Sequence, residues 1–219
     1  MKLHESTVAV LKNFATINDS LIIKEGNEQE TIHPEDFIYC QAVLKDSFPK
    51  AFAIYDLPQF LANYSSFNDP DLTFQDSYLT MKDKNLQLKY GYCNPAIVHT
   101  KSDEVNTIDL PDAEFTLTQS IFQQLTKLGN LNTFTHLTVI GKEGNLVLKV
   151  YDPTNDLSNA AEYIIENYNG KDFQAVFKMN NIRLAPADYD VKISLQGYAT
   201  FENTDKTLRY FIALEEETK

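Results

Sequence analysis

The stretch MKLHESTVAVLKNFATIN, residues 1–18, sets the plan of the chain. Val8, Leu11, Phe14 and Ala15 recur at helical spacing and make one apolar face. Glu5, Lys12, Asn13 and Thr16 fall mostly on the other side. Asn18-Asp19-Ser20 then stops the helix, and Leu21-Ile22-Ile23 starts a strand. The expected unit is a short amphipathic helix laid on a sheet, with Lys12 turned away from the sheet. A lone lysine in that position reads as part of a solvated face. Lys12 gains weight because the same unit returns along the chain.

Working outward, strands are expected at 20–24, 37–44 and 51–55, with a polar loop at 25–36. Asp56-Leu57-Pro58-Gln59 starts a second helix: Asp56 can accept from the free backbone N–H groups, and Pro58 sits in the first turn. Phe60, Leu61 and Tyr64 are its buried face, and Asn68-Asp69-Pro70-Asp71 ends it. Strands follow at 72–74, 78–81 and 86–92, the last two joined by a turn at 82–85. From 93 to 112 the periodicity fades into a polar, extended connector.

After a strand at 115–117, Thr118 caps a third helix with Ile121, Phe122, Leu125 and Leu128 on its apolar side. Gly129 is placed to close that helix in a left-handed conformation. Gln123, Gln124 and Lys127 lie on its exposed side. A hairpin is expected over 137–140 and 146–150, a loop at 151–161, and strands at 162–168 and 173–177. A fourth short helix spans 180–184 before Pro186. Strands at 189–195, 198–201 and 208–214 precede the acidic run Glu215-Glu216-Glu217, most simply a solubilising segment.

The string KDKNLQLK at 82–89 resembles KEGNLVLK at 142–149, and each copy follows a strand and a short helix. Four helix-plus-sheet units result, two on each side of the connector. The expected class is α+β, with two similar domains that each pack two helices on antiparallel sheets. The domains are residues 1–105, with the connector starting at about 93, and residues 113–219.

Composition limits the function. Of 219 residues 43% are apolar, enough for a core in either domain, and the net charge of −12 argues against a surface that is basic all over. Cys40 and Cys93 make a poor disulfide framework and have no metal-ligand spacing, which fits a reducing compartment. No apolar run approaches the roughly 20 residues of a membrane span, and His4, Glu5 and Lys12 interrupt any leader-like core. A soluble, cytosolic protein is expected.

The residues that usually carry chemistry are scattered. His4, His33, His99 and His136 have no Cys, Asp or Glu partner at ligand spacing. There is no Gly-rich phosphate loop among only 7 glycines, and no GxSxG motif. Asn68-Asp69-Pro70-Asp71 with Asp76 has part of a calcium-loop pattern but lacks its central glycine and closing glutamate. No enzyme, metal or cofactor is expected. What remains is the set of outer helix faces. Lys12 lies on the first, Lys127 on the third, Arg183 on the fourth with Lys178 just before it, while the second offers Gln59, Asn63 and Ser66. As equivalent positions in repeated units they could line one concave surface that holds a phosphate backbone without reading bases.

Lys2-Leu3, LKNFATIN at 11–18, AIYDL at 53–57 and Phe60-Leu61 closely resemble the N-terminal domain of the DNA polymerase sliding clamps of T-even-like bacteriophages. The resemblance continues through Lys142-Glu143-Gly144, Pro186 with Tyr189, and Ala213-Leu214-Glu215, and thins at 25–36 and 93–112. It implies a ring of three subunits, sheets outside and helices inside, that encircles duplex DNA. Such a clamp tethers the replicative polymerase, is opened and closed by an ATP-driven loader, and hydrolyses nothing itself. It implies the cytoplasm of an infected bacterium, and a further role in late transcription. Lys12, Lys127, Lys178 and Arg183 then line the hole.

By the same resemblance, a pocket for partner peptides lies between the connector, Ile108, Leu110 and Pro111, and the last strand, Tyr210, Ile212 and Leu214. Ordinary core packing is the alternative for those side chains. Leu86, Leu88 and Tyr90 would meet Tyr163 and Ile165 of the next chain at the subunit joint. Two other readings stand beside the ring: a clamp-fold interaction platform that never closes on DNA, and a metal-assisted hydrolase built from scattered carboxylates.

Overall fold

The computed structural model describes residues 1–101, 108–154, 159–216 and 218. The chain divides into two compact units, Met1–Glu104 and Val105–Lys219. The expected boundary near 105, part of the connector, part of the 151–161 loop and Glu217 lie outside the described residues.

The first unit opens with α1 (Glu5–Ile17), capped by the His4 ring, which accepts from the Ser6 N–H. Its buried stripe is Thr7, Leu11, Phe14 and Ile17. Val8 and Ala15, expected on that stripe, are half-buried at its margins. Asn18 stops the helix in extended backbone, and its buried carboxamide donates to the Ile32 carbonyl at 2.9 Å. Next, β1 (Leu21–Ile23) pairs antiparallel with β4 (Phe52–Ile54).

Residues 25–36 are not the expected polar loop. They contain β2 (Gly26–Ile32), which pairs antiparallel with β3 (Ile38–Phe48). The strand is hidden because its inward positions carry Gln29 and Thr31 rather than apolar side chains. Gln29 is 2% exposed, and its carboxamide bonds the Lys24 N–H at 2.8 Å and the Lys24 carbonyl at 2.9 Å. A buried polar group so satisfied substitutes for an apolar one.

The second helix, α2 (Leu57–Ser65), starts as its sequence dictates: the Asp56 carboxylate accepts from the Gln59 N–H at 2.7 Å. Leu57, Phe60, Leu61 and Tyr64 are buried, and α1 packs on β3 and against α2. A three-stranded antiparallel sheet follows, β5 (Asp71–Phe74), β6 (Tyr78–Asp83) and β7 (Leu86–Gly91), in that order. Pro95–Ile97 then form one 3₁₀ turn, capped by Asn94.

The second unit has β8 (Ala113–Leu117), α3 (Gln119–Asn132), β9 (His136–Lys142), β10 (Asn145–Tyr151), β11 (Ala160–Glu166) and β12 (Phe173–Lys178). After a 3₁₀ turn at Met179–Asn181 come β13 (Tyr189–Ser194), β14 (Tyr198–Asn203) and β15 (Leu208–Ala213). One antiparallel sheet runs β11-β10-β9-β12; in another, β8, β13, β14 and β15 are successive neighbours. The two similar strings at 82–89 and 142–149 both form hairpins, β6–β7 and β9–β10.

Two expectations for this unit are corrected. Gly129 does not end α3; it is buried inside it, and the left-handed residue is Thr133 at φ 57°. A Cβ on Gly129 would stand 3.1 Å from Met179 Cε, so this glycine permits a close approach. The fourth helix is also absent: among the described residues 180–184 there is only the end of the 3₁₀ turn. Five residues ahead of a proline, two of them asparagine, give too few hydrogen bonds to repay helix nucleation. Among its described residues the second unit therefore carries one α-helix where two were expected.

Candidate functional site

The outward faces of the helices are polar and sparsely charged. On α1 the exposed residues include Glu5, Ala9, Lys12 and Thr16; on α2 they are Pro58, Gln59, Ala62 and Ser65. On α3 they include Gln123, Gln124, Lys127 and Asn130. Lys12 and Lys127 thus project from helix faces turned away from the sheets. Among the described residues neither takes part in an ion pair. Lys127 stands on an open groove of about 530 Å³ with Phe122, Leu131, Leu184 and Pro186.

The other two candidate cations are placed differently. Lys178 ends β12, and its Nζ is 2.8 Å from Glu215 Oε2. Arg183 stands in the irregular stretch after the 3₁₀ turn, not on a helix, and its Nε donates to the Asn180 carbonyl at 2.9 Å.

The expected partner pocket is divided. Tyr210 and Ile212 are wholly buried. The Tyr210 hydroxyl accepts from the Ala185 N–H, and its ring meets Tyr189 edge-on at 5.9 Å. Both side chains belong to the core because β15 turns residues 208, 210 and 212 to one side and Arg209 and Phe211 to the other. With Phe211 also buried, alternation alone does not tell the two faces apart. From the connector, Ile108 is buried, Leu110 is 91% exposed and Pro111 is half-buried, as is Leu214. Ile108 shares a cavity of about 220 Å³ with Asp190, Lys192, Thr200, Glu202 and Arg209. Arg209 is pinned there by a forked ion pair to Glu202.

The start of the connector is held by side chains that carried no pattern in the sequence. His99 Nε2 meets Asp36 Oδ1 at 2.8 Å, and Lys101 lies over the Tyr39 ring at 5.3 Å. Beneath them the Tyr39 hydroxyl donates to Glu30, which also pairs with Lys24. Burial, reinforced by Glu30, pushes the Tyr39 hydroxyl well above its ordinary value. Burial pushes the Glu30 carboxyl up, but Lys24 and Tyr39 outweigh it and hold it below the usual carboxylate range. These residues border a cavity of about 270 Å³ in which Thr31 Oγ1 is buried with no hydrogen-bond partner among the described residues.

β7 and β11 each end a sheet. Leu88 and Tyr90 lie opposite the buried Met81 and Leu79; Tyr163 and Ile165 lie opposite the buried Leu148 and Leu146. On both strands the core face continues to the rim but is only part-covered, and Leu86 remains 56% exposed. Ile164, 57% exposed on the opposite face of β11, did not stand out in the sequence. Among the described residues no group of three or more His, Cys, Asp or Glu side chains is arranged to hold a metal, and no helix is long and apolar enough to cross a membrane.

Helix-backed antiparallel sheets repeated in two units define the sliding-clamp fold. A clamp from A. fulgidus, solved as PCNA with a C-terminal region of FEN-1, superposes with a TM-score of 0.74 at 11% identity over 100% of both chains. Proliferating cellular nuclear antigen from Entamoeba histolytica gives 0.70 at 14% identity, covering 98% of this chain and 97% of its own. Residues 2–92 match the family of DNA polymerase processivity factors. The chain is 29% identical to the sliding clamp of Vibrio phage KVP40, covering 98% of this chain and 99% of that protein. It is 26% identical to the sliding clamp of Enterobacteria phage T4, covering 100% and 98%. Over nearly its whole length the chain is thus similar to phage sliding clamps.

Proposed function

We propose that this chain is the subunit of a sliding clamp that encircles duplex DNA and tethers the replicative polymerase. The observation that carries the reading is the end-to-end similarity to phage sliding clamps, with no large segment missing from either partner. In this reading the units 1–105 and 113–219 are two clamp domains, and three copies close a ring by pairing β7 of one with β11 of the next. The part-covered Leu88, Tyr90, Tyr163 and Ile165 support that joint, because each would complete a core face left open at a sheet rim.

Lys12 and Lys127 face the hole and meet phosphates, which hold the duplex without reading it. Arg183 is a weaker member of that face, since its guanidinium is already drawn to Asn180. The body's charge of −12 repels DNA from other surfaces and leaves the interior as the favoured track. An ATP-driven loader opens the ring, partners reach it through the connector face near Ile108, and the chain itself catalyses no reaction. Its place is the cytoplasm of an infected bacterium, where late transcription is a second client.

Light scattering after size exclusion, over a dilution series, tests the assembly. A species three times the 25.0 kDa chain mass is expected. A monomer at every concentration, unrescued by loader and DNA, contradicts the ring. Primer extension separates the clamp from a mere interaction platform: products lengthen only when clamp and loader are both present.

A further inference from the structure

The open backbone groups of β7 and β11 follow from the strands that each already pairs with. Along an antiparallel pair, alternate residues turn both backbone groups to the partner strand, and the residues between turn theirs away. β7 closes on β6 with Leu86 opposite Asp83, and Tyr92 just beyond donates its N–H to the Ser77 carbonyl at 3.0 Å. Leu86, Leu88 and Tyr90 therefore bond to β6, while Gln87, Lys89 and Gly91 turn their backbone groups to the open edge. In the other sheet Asn145 closes on Lys142, the Tyr151 carbonyl accepts from the Thr135 N–H, and the Gly144 carbonyl accepts from the Tyr168 N–H. Odd-numbered residues of β10 thus bond to β9, and even-numbered ones to β11. With Leu148 opposite Tyr163, it is Ala161, Tyr163 and Ile165 that bond to β10, and Ala160, Glu162, Ile164 and Glu166 that stay open. On both strands the open residues are those whose side chains point away from the core.

We infer that β7 of one copy pairs antiparallel with β11 of the next in a single register, with Lys89 opposite Glu162. This rests on the reading of the two strands as the subunit joint. A parallel pairing sets each open residue beside one that is turned away. It would place Lys89 beside a core-face residue such as Tyr163, and so join the outer face of one sheet to the core face of the other. An antiparallel pairing sets open residues opposite each other and keeps both faces continuous. Continuity of the faces then allows shifts of two residues only. Charge and overlap choose among these. β7 carries one charge, Lys89, whereas β11 carries Glu162 and Glu166. With Lys89 opposite Glu162, all six residues of β7 are paired. Leu86 meets Ile165, Leu88 meets Tyr163 and Tyr90 meets Ala161 on the core face, while Gln87 meets Ile164 and Gly91 meets Ala160 outside. Glu162 already pairs with Lys149 across β10 at 3.1 Å, so the joint extends a row in which one carboxylate lies between two ammonium groups. A shift of two residues either way sets Lys89 against Ile164 or Ala160 and leaves one end of β7 unpaired. Reaching Glu166 instead would leave Leu86, Gln87 and Leu88 without partners.

The test is disulfide cross-linking of the full chain carrying C93S, which leaves the buried Cys40 as its one native thiol. In the inferred register Leu88 and Tyr163 face each other without bonding, with Cα atoms about 4.5 Å apart, inside the reach of a disulfide. The diagonal neighbours of Leu88 on the same face, Ala161 and Ile165, are about 7–8 Å away, at or beyond that reach. Under mild oxidation L88C/Y163C is expected to give a covalent trimer at least about tenfold faster than L88C/A161C or L88C/I165C. Y90C/A161C, the next facing pair, is expected to close as fast as L88C/Y163C, and L88C or Y163C alone to run as a monomer on a denaturing gel. Faster closure of either diagonal pair overturns the register and leaves the joint standing. Reduced variants that are trimeric by light scattering, yet close through none of these pairs, overturn the pairing of β7 with β11. A parent chain that is monomeric at every concentration, with or without loader and DNA, overturns the ring itself, and the register falls with it.

Discussion

Thr133 and Gly129 show how single residues set the end of α3. A β-branched residue at φ 57° is strained, and a glycine there relieves about 1 kcal/mol. Thr133→Gly is therefore expected to raise the melting temperature. Gly129→Ala is expected to be neutral or mildly stabilising, because helix propensity gains up to about 1 kcal/mol and only the mobile end of Met179 must shift. A left-handed Gly129 would instead lose stability on the same change, so one thermal melt separates the two geometries. At Glu30 the sign is also fixed. Its folded pKa is depressed, so its contribution is complete above the unfolded value and is lost as pH falls through the folded one. Glu30→Gln is expected to cost at most about 1 kcal/mol at neutral pH, since the group is one-third exposed, with the gap closing in acid. Denaturant titrations at neutral and acidic pH check this.

Among the elements, α1 and α2 were readable in advance because their determinants are local: a periodic stripe around Leu11 and Phe14, and the Asp56 cap. β2 was not, because it buries Gln29 where an alternating pattern demands an apolar residue, and its partners Lys24 and Gly26 satisfy it only once folded. Gln29→Leu keeps the bulk but strips the Lys24 N–H and carbonyl of their partner. It is expected to cost about 1–3 kcal/mol by chemical denaturation. The run 180–184 failed as a helix for want of length, and the faces of β15 were ambiguous because Tyr210, Phe211 and Ile212 are all apolar. The candidate site divides the same way. Exposure of Lys12 and Lys127 follows from helical phase, whereas the pairing of Lys178 with Glu215 joins distant parts of the chain and has no local signature. At the sheet rims, Leu86→Glu and Ile165→Glu are each expected to weaken self-association by at least tenfold with little change in far-UV circular dichroism. Sedimentation over a concentration series reads this directly.

In the proposed ring, DNA binding is topological: enclosure holds the duplex, and the proposed lysine contacts only smooth the track. The double reversal K12E/K127E is expected to impair loader-dependent loading and sliding at physiological salt while leaving the assembly state intact. Gel filtration and DNA pull-down check the two halves of that statement. Encirclement is tested most directly by loading the clamp onto a closed DNA circle with its loader, removing free protein, and then cutting the circle once. Retention on the circle at high salt and rapid loss after the cut are expected, because a ring slides off the free ends. Retention that survives the cut, or failure to be held on the intact circle, would contradict it.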